Sequence, residues 1–203
     1  ITGLVAWSIG TSPQLVGALF SNSIISLIVM FAPLGFVFFL SARVMKMSYS
    51  AGQLSFWLFS ALMGLSLSTI FVVYTGASIA NAFFTTAVAF GAMSLFGYTT
   101  KKDLSGMGRF LFMGVIGLIV AMIINWFTQS PGLEFAINVL GVLIFAGLTA
   151  YDTQNIKNTY LSIRNAPNGE EIAAKAGILG ALSLYINFLN MFMFLLQFMG
   201  NRE

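Results

Sequence analysis

The sequence contains no cysteine and no histidine. That excludes disulfides, thiol redox chemistry, haem ligation by either residue, most zinc sites and every histidine-based catalytic triad. Charge is nearly as scarce. Only 7% of the 203 residues are Asp, Glu, Lys or Arg, against about 25% in an ordinary soluble domain, so a soluble fold is excluded too. What fills the space is apolar: 58% of residues are hydrophobic and mean hydropathy is +0.91. The runs are long and continuous, as membrane helices require, and unlike the short alternating segments of a β-barrel. The chain reads as an all-α polytopic membrane protein, a single transmembrane domain whose first partner is the lipid bilayer. Its 21 phenylalanines and 11 methionines read as lipid-facing and packing side chains. No cofactor is expected. The net charge of +3 implies no nucleic-acid partner, because the basic residues fall between spans.

Residues 1–9, ITGLVAWSI, make about half a span and read as the end of a first helix that starts ahead of this sequence. They carry no basic segment or small-residue cleavage site of a signal peptide. GTSPQLVGAL reads as a short loop. The second span is expected over residues 22–40 with a kink at Pro33, and the third over 53–74. The third is rich in small residues (Ser60, Gly64, Ser66, Ser68) that let helix backbones approach closely. The fourth is expected over 79–98, the fifth from Arg109 to about residue 127, the sixth over 133–156 and the seventh over about 173–199. Lys157 reads as the membrane boundary of the sixth.

Arg43, Lys46, Lys101, Lys102, Arg109, Lys157, Arg164 and Lys175 cluster around the ends of even-numbered spans, and the loops after spans one, three and five hold no Lys or Arg. The positive-inside rule then places the even-end loops in the cytoplasm. With seven spans the C-terminus lies on the far side; a re-entrant last segment would reverse it. No internal repeat is visible, which disfavours an inverted-repeat transporter.

Few polar residues interrupt the spans. Glu134, just after Ser130 and Pro131, suits the positive end of the sixth helix. Asp103 is expected to cap the fifth helix or to pair with Lys101 or Lys102. Glu170 and Glu171 read as a solvated face at the start of the seventh. Asn125 and Asn138 read as interhelical cross-links. Asn187 and Asn190, three apart on one helix face, form with Tyr185 the polar patch of the last helix.

Asp152 stands apart. It falls within the stretch INVLGVLIFAGLTAYDTQNIK, where an ionised Asp costs about 2.5–3.5 kcal/mol on insertion scales and where the helix C-terminus repels negative charge. Such a residue needs a partner, a wet cavity or a shifted titration. A snorkelling side chain paired with Lys157 or Arg43 is the plain alternative. Lys157 is five residues on and poorly placed for a helical pair, so Arg43 is the better candidate.

GLTAYDTQNIK in the sixth span, GALSLYINFLNMF in the seventh, TTKKDLSGMGRF between the fourth and fifth, and GLSLSTIFVVYTGASI in the third together resemble the Bax inhibitor-1 family, its bacterial branch above all. The resemblance covers nearly the whole chain. It implies seven helices with the last one central and six around it, a bacterial inner membrane, and a pH-sensitive calcium leak. In the family, two aspartates from the sixth and seventh helices form a hydrogen-bonded pair that senses pH and gates the pore from the cytoplasmic side. The first carries over onto Asp152. The second motif, LY-x-D-F, stands here as Leu184-Tyr185-Ile186-Asn187-Phe188, so Asn187 replaces the second aspartate. Arg43 is proposed as the arginine that contacts the pair in some members. Tyr151, Tyr185, Asn190, Asn125 and Asn138 are the pore-lining or supporting candidates.

Two neighbouring carboxylates resist ionising together, whereas an Asp facing an Asn lacks that repulsion and gains an N–H donor. The Asp152–Asn187 pair is therefore expected to titrate over a simpler curve and to rest near a half-protonated state. Calcium prefers six to eight oxygens, several of them carboxylate. One carboxylate makes no high-affinity metal site, but a weak transit site near Asp152 suits a leak. With no nucleotide motif and no base-and-nucleophile set, neither a pump nor an enzyme is expected. The alternative from a different class is a non-conducting membrane protein that binds and modulates a membrane protease or another membrane partner.

Overall fold

The structure, a computed structural model, describes residues 1–165 and 169–201. Among them the chain runs through α1 (Thr2–Gly10), α2 (Pro13–Phe20), α3 (Ser23–Arg43), a 3₁₀ turn (Val44–Lys46), α4 (Tyr49–Leu67), α5 (Ile70–Val73), α6 (Gly76–Thr99), α7 (Ser105–Thr128), α8 (Pro131–Ile163) and α9 (Gly169–Met199). Six segments are long and apolar enough to cross a bilayer: Ser23–Lys46, Tyr49–Val73, Gly76–Thr99, Ser105–Thr128, Pro131–Ile163 and Gly169–Met199. This is the all-α membrane protein that the composition demands. α1, with nine residues, is not one of the six.

The chain divides into two units, one of residues 1–79 and 169–179 with Asn201, the other of residues 80–165 and 180–200. In the first, α1 packs on α4 and α4 on α3. The small-residue face of α4 does what its composition suggests. A Cβ on Gly64 would lie 2.6 Å from the Thr2 carbonyl oxygen, so only glycine admits α1 this closely. The Thr2 hydroxyl donates to the Ser60 carbonyl at 2.9 Å. Phe59, fully buried, stacks on Phe36 of α3.

Several expectations are corrected or refined here. GTSPQLVGAL is not a loop, since Pro13 begins α2 at the first helical position behind Ser12, where a missing N–H and a fixed φ favour a helix start. The third span, Tyr49–Val73, holds a break in its helix. α4 stops at Leu67, where the Ser68 hydroxyl turns back onto the Leu65 carbonyl at 2.8 Å, before the single turn of α5. The fifth span opens at Ser105, four residues ahead of Arg109. α8 continues past Lys157 and runs 33 residues, about 50 Å at 1.5 Å per residue, which is longer than a hydrocarbon core of about 30 Å.

In the second unit, Leu118, Ile137, Phe145, Leu148, Met191, Phe194 and Leu195 form the buried core joining α7, α8 and α9. α6 crosses α8 at Gly97, where a Cβ would fall 2.8 Å from Ala150 Cα and against its carbonyl oxygen. α8 begins as its sequence implies: Ser130 caps, its Oγ accepting from Leu133 N at 3.4 Å, Pro131 leads, and Glu134 sits in the first turn. Asn125 works locally instead of cross-linking helices. Its Oδ1 accepts from Ser130 N at 3.0 Å and so ties the α7–α8 turn around Gln129, which has φ 47°.

Candidate functional site: an aspartate–asparagine pair beside a cavity

On α8, Phe145, Leu148 and Asp152 recur at three- and four-residue spacing, and on α9 Ser183, Asn187, Asn190 and Phe194 do the same. Such residues share one face of a helix. With Phe112, Val115, Leu118, Ile119 and Met122 of α7 they enclose a half-open cavity of about 370 Å³. Most of its wall is apolar, and its polar groups are Asp152, Ser183, Asn187 and Asn190.

The Asn187 amide donates to Asp152 Oδ2 at 2.7 Å. Asn187 is buried, 5% exposed, and Asp152 is half-buried. The carboxylate accepts only, so the amide must turn its nitrogen toward it. A hydrogen bond to an ionised group is the stronger kind, and here it joins α8 to α9 across a turn of each. Asn190 lies one turn further on α9 and donates to the Ile186 carbonyl at 2.9 Å.

The other sequence candidates fall in different places. Tyr151 packs its ring edge-on against Phe112, 6.2 Å between centroids, and over Gly108 of α7, so it braces the wall from behind. Tyr185 is half-buried and outside the lining set. Asn138 is 3% exposed in α8, away from the cavity, and its Oδ1 takes no hydrogen bond; the interhelical cross-link expected of it is absent. Arg43 ends α3, exposed, in the other unit. Asp152 forms no ion pair with Lys157. The Lys157 ammonium donates to the Tyr98 carbonyl at 2.7 Å and lies 4.9 Å from the Tyr98 ring centroid, which satisfies the last turn of α6 as a cation should.

Two residues escaped the sequence reading. Gln154, 9% exposed, donates to the Lys102 carbonyl at 2.8 Å and accepts from Leu104 N at 2.9 Å, fastening the α6–α7 connection to α8. The signal was a second buried-type polar residue two places after Asp152. Ser183 is one helical turn before Asn187, the spacing that should have placed it on the same face. Asp103, expected as a helix cap, accepts from Ser105 N at 2.9 Å in a tight turn just ahead of α7, whose capping position is Leu104. No group of three or more Asp or Glu that could hold a metal ion occurs among the described residues. Any cation near Asp152 would meet one carboxylate, amide carbonyls and a hydroxyl.

Six long apolar helices, with a carboxylate–amide pair joining two of them beside a cavity, define a polytopic membrane protein with a polar pair between α8 and α9. The family model described as inhibitor of apoptosis-promoting Bax1 matches residues 1–203, and the chain belongs to the Bax inhibitor-1 family. It is 46% identical over 205 residues to the inner membrane protein YbhL of Escherichia coli, covering all of this chain and 86% of that one. It is also 52% identical over 178 residues to a protein of Caulobacter vibrioides (87% and 70% covered). A Borreliella burgdorferi protein is 39% identical over 203 residues (100% and 86% covered).

Proposed function

We propose that the protein is a pH-influenced calcium leak of the bacterial inner membrane, gated around Asp152 and Asn187 on the cytoplasmic side. The observation that carries this reading is the 2.7 Å bond between these two side chains at the cavity. Ionised, Asp152 accepts from Asn187 and holds α9 to α8 there; protonated, it loses the charge assistance that strengthens the bond. Proton binding and helix contact are thus linked at one residue. The acceptor oxygens make a weak transit site, with too few carboxylates to trap calcium. The cytoplasmic assignment rests on the Lys and Arg pattern, and the inner membrane on the similarity to the inner membrane protein YbhL. We place Arg43 as the cytoplasmic-side partner of the pair, and α9 as the central helix of a seven-helix bundle.

The test is calcium flux into proteoliposomes from about pH 5 to pH 8, a range that includes perturbed carboxylates, for the parent, Asp152→Asn and Asn187→Asp. Flux should depend on Asp152, and its pH dependence should steepen when the second carboxylate is restored, because two adjacent carboxylates titrate as a coupled pair. An unchanged profile in Asn187→Asp refutes the role of Asn187. Absence of flux from all three, in folded and inserted protein, refutes the leak and favours a non-conducting protein that binds a membrane partner such as a protease.

A further inference from the structure

The cavity beside Asp152 has a wall and a polar end that suit different parts of one molecule. Its α7 side is built from residues that also face outward: Phe112 is 52% exposed, Ile119 49% and Met122 42%. On a transmembrane helix that exposure faces lipid, so the cavity opens toward the hydrocarbon. The deeper wall, from Leu118, Leu148 and Phe194, is apolar and buried.

The polar end is rich in oxygen. Each amide uses one N–H within the protein, Asn187 to Asp152 and Asn190 to the Ile186 carbonyl, and keeps the other. The second Asp152 oxygen, both amide carbonyls and the Ser183 hydroxyl can receive donors. Among the described residues no Lys or Arg forms an ion pair with Asp152. A carboxylate without an ion pair calls for a cation, and the acceptor oxygens around it favour one that carries N–H groups.

We propose that this cavity binds a primary alkylammonium, with its head at Asp152 and Asn187 and its chain along the α7–α8–α9 wall. A volume of about 370 Å³ holds on the order of a dozen groups of water size, at about 30 Å³ each, which matches an ammonium with a chain of medium length. The chain gains little by leaving lipid for protein, because acyl chains are as apolar as the wall. Selectivity therefore rests on the head. The inference rests on the same residues as the proposed leak but does not require conduction.

The experiment uses the full chain in lipid nanodiscs and reads thermal stabilisation against concentration of decylamine, decanol and decyltrimethylammonium. The amine should bind at least roughly tenfold more tightly than the alcohol, the change that one hydrogen bond to a charged group supplies. The quaternary cation, which has charge but no N–H, should fall between them. Asp152→Asn should reduce the amine to the level of the alcohol. Ile119→Trp, at a lipid-exposed position unlinked to the fold's core, should weaken decylamine and spare butylamine. Equal affinity for amine and alcohol in the parent, or an amine preference that survives Asp152→Asn, overturns the proposal. Calcium flux without amine binding sinks this inference alone; amine binding without calcium flux sinks the leak alone.

Discussion

Replacing Gln154 tests whether the α6–α7 connection is held to α8 as the structure describes. The side chain makes two bonds of unequal value. Leu104 is 6% exposed, so losing the Gln154 oxygen strands a buried N–H, which costs about 1–3 kcal/mol. Lys102 is exposed, and its carbonyl can turn to water, so that bond contributes only the net value of about 0.5–1.5 kcal/mol. Gln154→Ala should therefore destabilise by about 2–3 kcal/mol in total. Gln154→Glu keeps an acceptor for Leu104 N and loses the donor to Lys102, so it should cost less than the alanine. Thr153→Ala, which removes only a bond back to the Thr149 carbonyl at 2.7 Å, is the control and should be close to neutral.

Two assays read this. Thermal unfolding in detergent should show Gln154→Ala lowered by about 4–12 °C, taking about 2–4 °C per kcal/mol for a chain of this size. Hydrogen exchange gives the local answer: the Leu104 amide should lose protection in Gln154→Ala and keep much of it in Gln154→Glu. If that amide stays protected in the alanine variant, or if Thr153→Ala is equally destabilising, Gln154 is not the clasp.

Gly97→Ala should destabilise by at least about 1–3 kcal/mol, because the new methyl meets Ala150 backbone that cannot move aside. Gly91→Ala, with nothing within 4 Å, should be neutral or stabilising by up to about 1 kcal/mol; thermal midpoints of the two compare them within one helix. Lys157→Met should lose about 0.3–1 kcal/mol of support at the end of α6, measured at low salt and shrinking as salt is added. Asp103 is held below the usual carboxylate range, chiefly by donation from the Ser105 hydroxyl and then its amide. A carboxylate depressed by folding contributes stability above its unfolded pKa and loses it as pH falls through the folded value. Protection of the Ser105 amide should therefore drop on acidification below the usual carboxylate range, and Asp103→Ala should abolish that dependence.

The sequence exposed the membrane helices because long apolar runs have a single use, and it exposed Asp152 because a carboxylate in such a run is costly. It also placed Ser130, Pro131 and Glu134, whose roles are local to one helix end. What it missed depends on neighbours distant in the chain. Asn125 and Asn138 carry the same side chain in equally apolar surroundings, yet one ties a turn and the other is buried with an unpartnered oxygen. Periodicity says which residues share a face; it does not say what that face meets. The contact of Lys157 was hidden for the same reason: its partner is the end of α6, fifty-nine positions back.

The motif containing Asp152 gains a physical meaning from its spacing. At 100° per residue, Gln154 lies about 200° around α8 from Asp152, and Lys157 about 140° from it. Gln154 and Lys157 thus share one side of the helix while Asp152 takes the other. The first side holds the α6–α7 connection through the Lys102 carbonyl, the Leu104 amide and the Tyr98 carbonyl. The second holds α9 through Asn187. A helix this regular transmits rotation over six residues with little loss, since its backbone bonds fix each φ and ψ. Anything that turned α8 enough to part Asp152 from Asn187 would also pull on the Gln154 clasp. Gln154→Ala should therefore alter not only stability but the behaviour of the Asp152–Asn187 contact. The check is double-mutant coupling: with Asn187→Leu, the stability changes should be non-additive by about 0.5 kcal/mol or more, and strict additivity would show that the two sides of α8 act independently.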